Sequence, residues 1–372
     1  MKFIVNKNKI FETVRVCNSI TDNLNSSPNF LGTLIETENS KLKFTSSNGL
    51  ISIKSIIEKD ENLNIINNGK VLLKTKTLFN VLSKLKKSMI NFERIDNSVL
   101  KIKTDYFDSN INILDEEKYP NINFNFNGWK EIELPSIVFK KTITKIKHAA
   151  NLNKEKINIM SGVCFISNKE NKTLEVVATD SYKLAFYKFE SSLDDFKFVI
   201  GIDLIDLFAD ILEHDKNVKI YISDNNVIFK IKEFLIASKT IDGEFPNISR
   251  ILTLPKTKKA IISKKTLLDA LERGMVFSPM DKKAAAKLIF NSEKIEISFN
   301  SVELGNSKEE IPCKSNVENS IEILLNATFL ISLLKVFDND EICIEFEDGL
   351  RPVTLIDEKE KNFMQILIPI RN

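Results

Sequence analysis

Two hydrophobic periods alternate along this chain. Period-two stretches such as Leu42-Lys43-Phe44, Leu174-Glu175-Val176 and Ile295-Glu296-Ile297-Ser298-Phe299 predict strands with one buried and one wet face. Apolar pairs four residues apart, Ile10 with Val14, Phe139 with Ile143 and Leu267 with Leu271, predict amphipathic helices. Each helix follows a short strand, at Phe3 to Val5, Ile132 to Leu134 and Ala260 to Ile262. Pro135 and Ser263 stand where a helix would begin, a fixed φ in one case and a hydroxyl cap in the other.

A second helical signature occurs three times, at Leu78 to Leu82, Leu204 to Phe208 and Leu330 to Leu334, 126 residues apart each time (204 − 78 and 330 − 204). Strands follow it at Val99 to Ile102, Val218 to Ile222 and Ile342 to Phe346. Two of the thirds close alike, with Tyr119-Pro120-Asn121 and Phe245-Pro246-Asn247 ending a turn. A period this long matches a domain and exceeds a solenoid unit. The fold class is therefore α+β, three tandem similar domains over residues 1–127, 128–253 and 254–372, each an antiparallel sheet with two helices on one face. Edge strands of such sheets can pair from domain to domain. A second chain set head to tail can then close the row into a ring with helices on its inner side.

Composition narrows the function more than it defines it. With 43% hydrophobic residues, each third can bury its own core. No apolar run reaches the roughly 18 residues of a membrane span, and the N-terminus does not open as a signal sequence, so a soluble, cytoplasmic protein is expected. The four cysteines, Cys17, Cys164, Cys313 and Cys343, lack metal or disulfide spacing and read as packed thiols. His148 and His214 have no cysteine or acidic residue at metal-ligand spacing. No phosphate-cradling glycine motif or nucleophile elbow occurs, so neither a cofactor nor a metal nor catalysis is expected. Thr179-Asp180 reads as a turn between strands, its side chains bonding local backbone.

Fifty-three basic and fifty-one acidic residues leave a net charge of +2, so any surface for a polyanion needs an uneven distribution. Lysines gather near the predicted helices: Lys76, Lys84, Lys86 and Lys87, then Lys140, Lys141, Lys145 and Lys147, then Lys264 and Lys265, with Lys154 and Lys156 in a loop. A solvated face is the plain reading. Their recurrence in successive repeats favours weak, sequence-independent phosphate contacts. The apolar end, Gln365 to Arg371, predicts a last strand or part of a groove.

Three segments carry a resemblance to a known family. Val177-Ala178-Thr179-Asp180-Ser181-Tyr182-Lys183-Leu184-Ala185, Ser238-Lys239-Thr240-Ile241-Asp242-Gly243-Glu244-Phe245-Pro246 and the closing Ile368-Pro369-Ile370-Arg371 are similar, in order, to motifs of the bacterial sliding clamps, the beta subunits of DNA polymerase III. The resemblance spans the whole chain. It implies a head-to-tail homodimer that encircles duplex DNA, has no activity of its own, and is opened by a separate loader. It also implies a peptide pocket for short hydrophobic motifs of the replicative polymerase, the clamp loader and repair proteins.

Carried over residue by residue, the pocket would take Met160, Thr179, Ser181, Tyr182, Lys183 and Leu184 from the middle third. Pro246, Arg250 and Ile251 would come from the segment that follows. Leu350, Pro352, Ile366, Ile368, Pro369, Ile370 and Arg371 would come from the last third. Of the DNA contacts, Lys76 and Lys154 match family positions and the lysine clusters add Lys84, Lys141 and Lys145; the dimer seam would fall on Ile111 and Phe277. The chain departs from the family at Lys282 or Lys283 in place of a common aromatic, at Asn372 in place of a common Leu, and at the loop from Asn25 to Pro28, which lacks an arginine. The rival reading is a repeat-built peptide-binding scaffold that does not encircle DNA.

Overall fold

The computed structural model describes residues 1–21, 30–38, 40–153, 157–212, 217–278 and 284–371. Among them, helices α1 (Lys7–Thr21) and α2 (Thr75–Lys84), α3 (Ser136–Ile146) and α4 (Ile202–Ile211), a single turn α5 (Ser249–Leu252), and α6 (Lys264–Gly274) and α7 (Ala327–Leu334) follow the predicted order. The pairs Ile10 and Val14, Phe139 and Ile143, and Leu267 and Leu271 are all buried, as are the leading Leu and closing residue of each repeated signature. Aromatic contacts hold two of the helix pairs: Phe11 stacks on Phe79 at 5.7 Å and Phe139 meets Phe208 edge-on at 5.5 Å. Ser263 caps α6 as expected, accepting from the Thr266 N–H at 3.2 Å. Pro135 instead closes the strand Lys130–Pro135, and α3 starts one residue later.

The described strands form three sheets of thirteen, nine and four strands, and every pairing is antiparallel. Strands of the middle third are shared out between two of them. Phe234–Lys239 pairs with Ile51–Glu58 of the first third, while Lys183–Glu190 pairs with Phe363–Leu367 of the last. Residues 1–140 with 203–240 accordingly form one compact unit, and residues 141–202 with 241–372 another.

Within the second unit an ionic cluster centred on the buried Lys145 ties the end of α3 to the C-terminal strands. The Lys145 ammonium donates to Glu360 and lies 2.8 Å from Asp338, with the Phe363 ring 5.1 Å away. Lys141 reaches the same Glu360 at 2.7 Å, and Tyr187 Oη donates to it at 2.5 Å. Burial pushes the Glu360 carboxyl up, but hydrogen bonds from Lys141, Lys145 and Tyr187 outweigh it and hold the group below its ordinary value. Lys145 is therefore a structural cation. Its expected role in DNA contact is corrected, because a buried ammonium shared by two carboxylates presents no charge to a phosphate.

Two predictions follow from this packing. A carboxyl whose folded pKa is depressed stabilises the protein above its unfolded value, and that contribution is lost as pH falls through the folded value. Stability to urea should therefore fall more steeply between about pH 5 and about pH 3 in the wild type than in Glu360→Gln; equal slopes would contradict the depressed value. At the buried end of α6, a Cβ on Gly274 would stand 2.2 Å from the Phe299 ring. Gly274→Ala should cost about 1–3 kcal/mol by overpacking, read from urea denaturation midpoints.

Candidate functional site

The centre of the site is the turn joining strands Thr173–Thr179 and Lys183–Glu190, and it is the locally bonded turn that the sequence predicts. Thr179 Oγ1 donates to the Lys183 carbonyl at 2.8 Å and accepts from the Ser181 N–H at 3.2 Å. Asp180 Oδ1 accepts from the N–H groups of Tyr182 and Lys183, each at 2.9 Å. Ser181 takes a left-handed φ of 75°, which lifts Tyr182 outward to 58% exposure. The Ile368 N–H donates to the Tyr182 carbonyl at 2.9 Å, docking the C-terminal segment beside the turn.

A cleft of about 160 Å³ opens here, lined by Thr179, Ser181, Tyr182, Lys183, Leu184, Pro246, Asn247, Ile248, Ile251, Ile366 and Ile368. Its floor is a product of strand register, since Leu184 stands directly opposite Ile366. Beneath lies an apolar cluster of Cys164, Val177, Phe186, Val199 and Phe245. Nine lining residues are among those carried over from the family motifs. Met160 sits at the lip, its sulfur accepting from Ser181 Oγ at 3.1 Å. Arg250 is exposed on α5, Leu350 projects at 67% exposure, and Pro352 is half-buried; none of the three lines the cleft. Pro369, Ile370 and Arg371 run on past it, with the Ile370 N–H donating to Leu324 O at 2.8 Å. Asn247 and Ile248 were missed, although Asn247 belongs to the repeated aromatic-Pro-Asn ending and Ile248 begins the apolar run into α5.

Lys183 is the one buried cation of the lining. It donates to the His148 carbonyl, lies 3.7 Å from Asp180, and stands over the Phe329 ring at 5.1 Å. Burial holds its pKa below the ordinary lysine value, with Asp180 opposing. Behind it, His148 Nε2 bonds Gln365 Oε1 at 2.7 Å, and the Gln365 amide donates to Leu333 O at 2.6 Å. Because an amide oxygen only accepts, His148 carries its proton on Nε2. Burial pushes the imidazole down to about 4, so it is neutral near pH 7.

The lysine pattern is less regular than the sequence suggests. Lys76 and Lys84 are exposed on α2, the second helix of the first third, whereas Lys140, Lys141 and Lys145 lie on α3, the first helix of the middle third. The clusters do not recur at one place. The helix that does correspond to α2, α4, exposes Asp203, Asp206 and Asp210 instead. Lys141 is exposed but paired with Glu360. Lys154, Lys156, His214, Lys282, Lys283, Asn372 and the loop from Asn25 to Pro28 lie outside the described residues. Of the seam positions, Ile111 is already buried within its own chain, while Phe277 is half-buried beside Val276, which is 71% exposed.

All four cysteines are free and buried, and burial pushes their thiols up to about 11 or 12, so they are protonated and unreactive near pH 7. Among the described residues no group of three His, Cys, Asp or Glu side chains is placed to hold a metal, and no helix is long and apolar enough to cross a membrane.

Family models of the DNA polymerase III beta subunit match the chain in three successive pieces: the N-terminal domain over residues 1–123, the central domain over 133–247 and the C-terminal domain over 249–371. The chain is 26% identical over 388 aligned positions to the beta sliding clamp of Mycoplasma pneumoniae, covering 99% of this chain and 100% of the relative. It is likewise 26% identical to that of Streptococcus pneumoniae, with 99% of each covered. The crystal structure of the DNA polymerase sliding clamp from Bacillus subtilis superimposes with a TM-score of 0.92 at 25% identity, covering 100% of this chain and 99% of that one. With three matching domains in the right order, an antiparallel fold and an apolar cleft on the family's motif residues, the chain belongs to the DNA polymerase III beta subunit family, the bacterial sliding clamps.

Proposed function

We propose that the protein is a DNA sliding clamp, a processivity factor whose two copies close head to tail around duplex DNA and tether the replicative polymerase. Catalysis rests with the tethered partner, and the clamp works in the cytoplasm, where replication takes place. The observation that carries the partner-binding half is the cleft. Leu184, Ile248, Ile251, Ile366 and Ile368 offer apolar walls in a hollow sized for one or two side chains, and Tyr182 stands exposed at its rim. Short Leu- and Phe-bearing segments of polymerase, clamp loader and repair proteins suit it.

The encircling half draws support from open strand edges. Gly305–Pro312 is the outermost strand of the four-stranded sheet. Residues 108–112 of the strand Asp108–Leu114 pair with Val99–Lys103 on one side only. Antiparallel addition of one edge to the other, in a second copy, continues the way the thirds are already joined within the chain. Ile111 then contributes backbone more than side chain. Val276, Val302 and Leu304, at 71%, 106% and 51% exposure, supply apolar surface near the first edge, and Tyr106, at 53%, near the second. Lys76 and Lys84, both exposed on α2, would meet phosphates in a weak and salt-sensitive hold that permits sliding.

Two experiments test this reading. In titration calorimetry with a hexapeptide bearing Leu-Phe, Ile366→Ala should weaken binding by about 2 kcal/mol, roughly thirtyfold; unchanged affinity would remove the cleft from partner binding. Val276→Glu combined with Phe277→Glu should convert a two-chain particle to a monomer in light scattering, and a persisting dimer would place the seam elsewhere.

A further inference from the structure

The turn at the cleft has a close structural copy in the first unit. Ser47 Oγ donates to the Ile51 carbonyl at 3.2 Å and accepts from the Gly49 N–H at 3.0 Å, the bonds that Thr179 makes to Lys183 and Ser181. Asn48 Oδ1 accepts from the N–H groups of Leu50 and Ile51 at 3.0 and 2.8 Å, as Asp180 does from Tyr182 and Lys183. Gly49 takes the left-handed φ of Ser181, at 89° against 75°. Leu50 is 58% exposed, the same as Tyr182. The Lys239 N–H points to the Leu50 carbonyl at 3.4 Å, in the place of Ile368 on Tyr182. Tyr119-Pro120-Asn121 accompanies this turn as Phe245-Pro246-Asn247 accompanies the other, with Tyr119 Oη donating to Thr45 O at 3.2 Å.

The frame is repeated and the chemistry is not. Ser52 stands opposite Ala237, where Leu184 stands opposite Ile366 in the cleft, and Lys239 replaces Ile368. Ser47 and Ser52 hydroxyls lie 2.9 Å apart, and the Lys54 ammonium sits 5.7 Å from the centre of the Phe124 ring. Lys54 and Lys239 have no carboxylate partner among the described residues. Hydroxyls and two uncompensated ammonium groups occupy a surface that, in its copy, is lined with Leu and Ile.

We propose that this junction is a second docking site, taking an extended acidic segment of a partner protein. Carboxylates of that segment meet Lys54 and Lys239, and one apolar side chain lies against Leu50. Like charge rejects basic segments, and the Ser52 and Ala237 floor offers little apolar contact to the Leu-Phe segments that fit the apolar cleft, so the two sites take different partners. Neither ring closure nor an occupied cleft is required for it.

The test is fluorescence anisotropy of a labelled peptide, Glu-Asp-Leu-Glu-Asp-Glu, with the full chain at about 0.15 M salt, where charges more than about 8 Å apart are largely screened. Wild-type protein should bind it, and Lys54→Glu with Lys239→Glu should weaken binding at least about tenfold. Lys359→Glu with Lys361→Glu, which changes net charge equally elsewhere, should leave affinity within about twofold, as should Ile366→Ala in the cleft. Should the first pair fail to fold in a thermal melt, Lys54→Ala with Lys239→Ala takes its place with the same expected direction. No binding by wild type, equal weakening by both charge-reversed pairs, or loss in Ile366→Ala would each overturn the proposal.

Discussion

Strand pairing across the repeats is the interaction on which the rest of this molecule depends. An antiparallel sheet cannot leave its edge amides and carbonyls unsatisfied without inviting another strand. This chain meets the requirement by lending strands of the middle third to its neighbours, Phe234–Lys239 to the first and Lys183–Glu190 to the last. The cleft is a consequence of that loan. Leu184 faces Ile366, and Ile368 reaches Tyr182, only because strands from two thirds lie side by side. A change that parted these strands would abolish the cleft before it touched any of its walls.

The same joint gives different surfaces according to what is laid on it. Over one joint, Ile248 and Ile251 of the connecting segment add to Leu and Ile from the strands and leave an apolar hollow. Over the other, serines, an alanine and lysines stand on an almost identical turn. Backbone geometry is thus shared, and recognition is set by a few side chains.

Period and spacing revealed the helices and strands because one-sided burial leaves a direct mark on sequence, and the buried pairs Ile10 and Val14, Phe139 and Ile143, and Leu267 and Leu271 show it. Charge left no such mark. Lys145 reads as one more surface lysine until Glu360 is brought to it from 215 residues away. Arg250 and Leu350 are carried over from the family yet do not line the cleft, while Ile248 lines it from a position no motif singled out. Short-range pattern records which face is buried; which residues converge is decided by the pairing of distant strands.

A clamp built on shared edges needs little affinity for what it surrounds, because linkage and not contact holds it. Exposed lysines on α2 and exposed aspartates on α4 suit a surface that neither grips nor sticks. The direct measurement is retention on DNA after the protein has been loaded onto a nicked circle and washed in about 0.5 M salt, where phosphate contacts are largely screened. Topological linkage predicts that the protein stays on the circle and is released when a single double-strand cut linearises it. Equal retention, or equal loss, on circular and linear DNA would contradict encirclement.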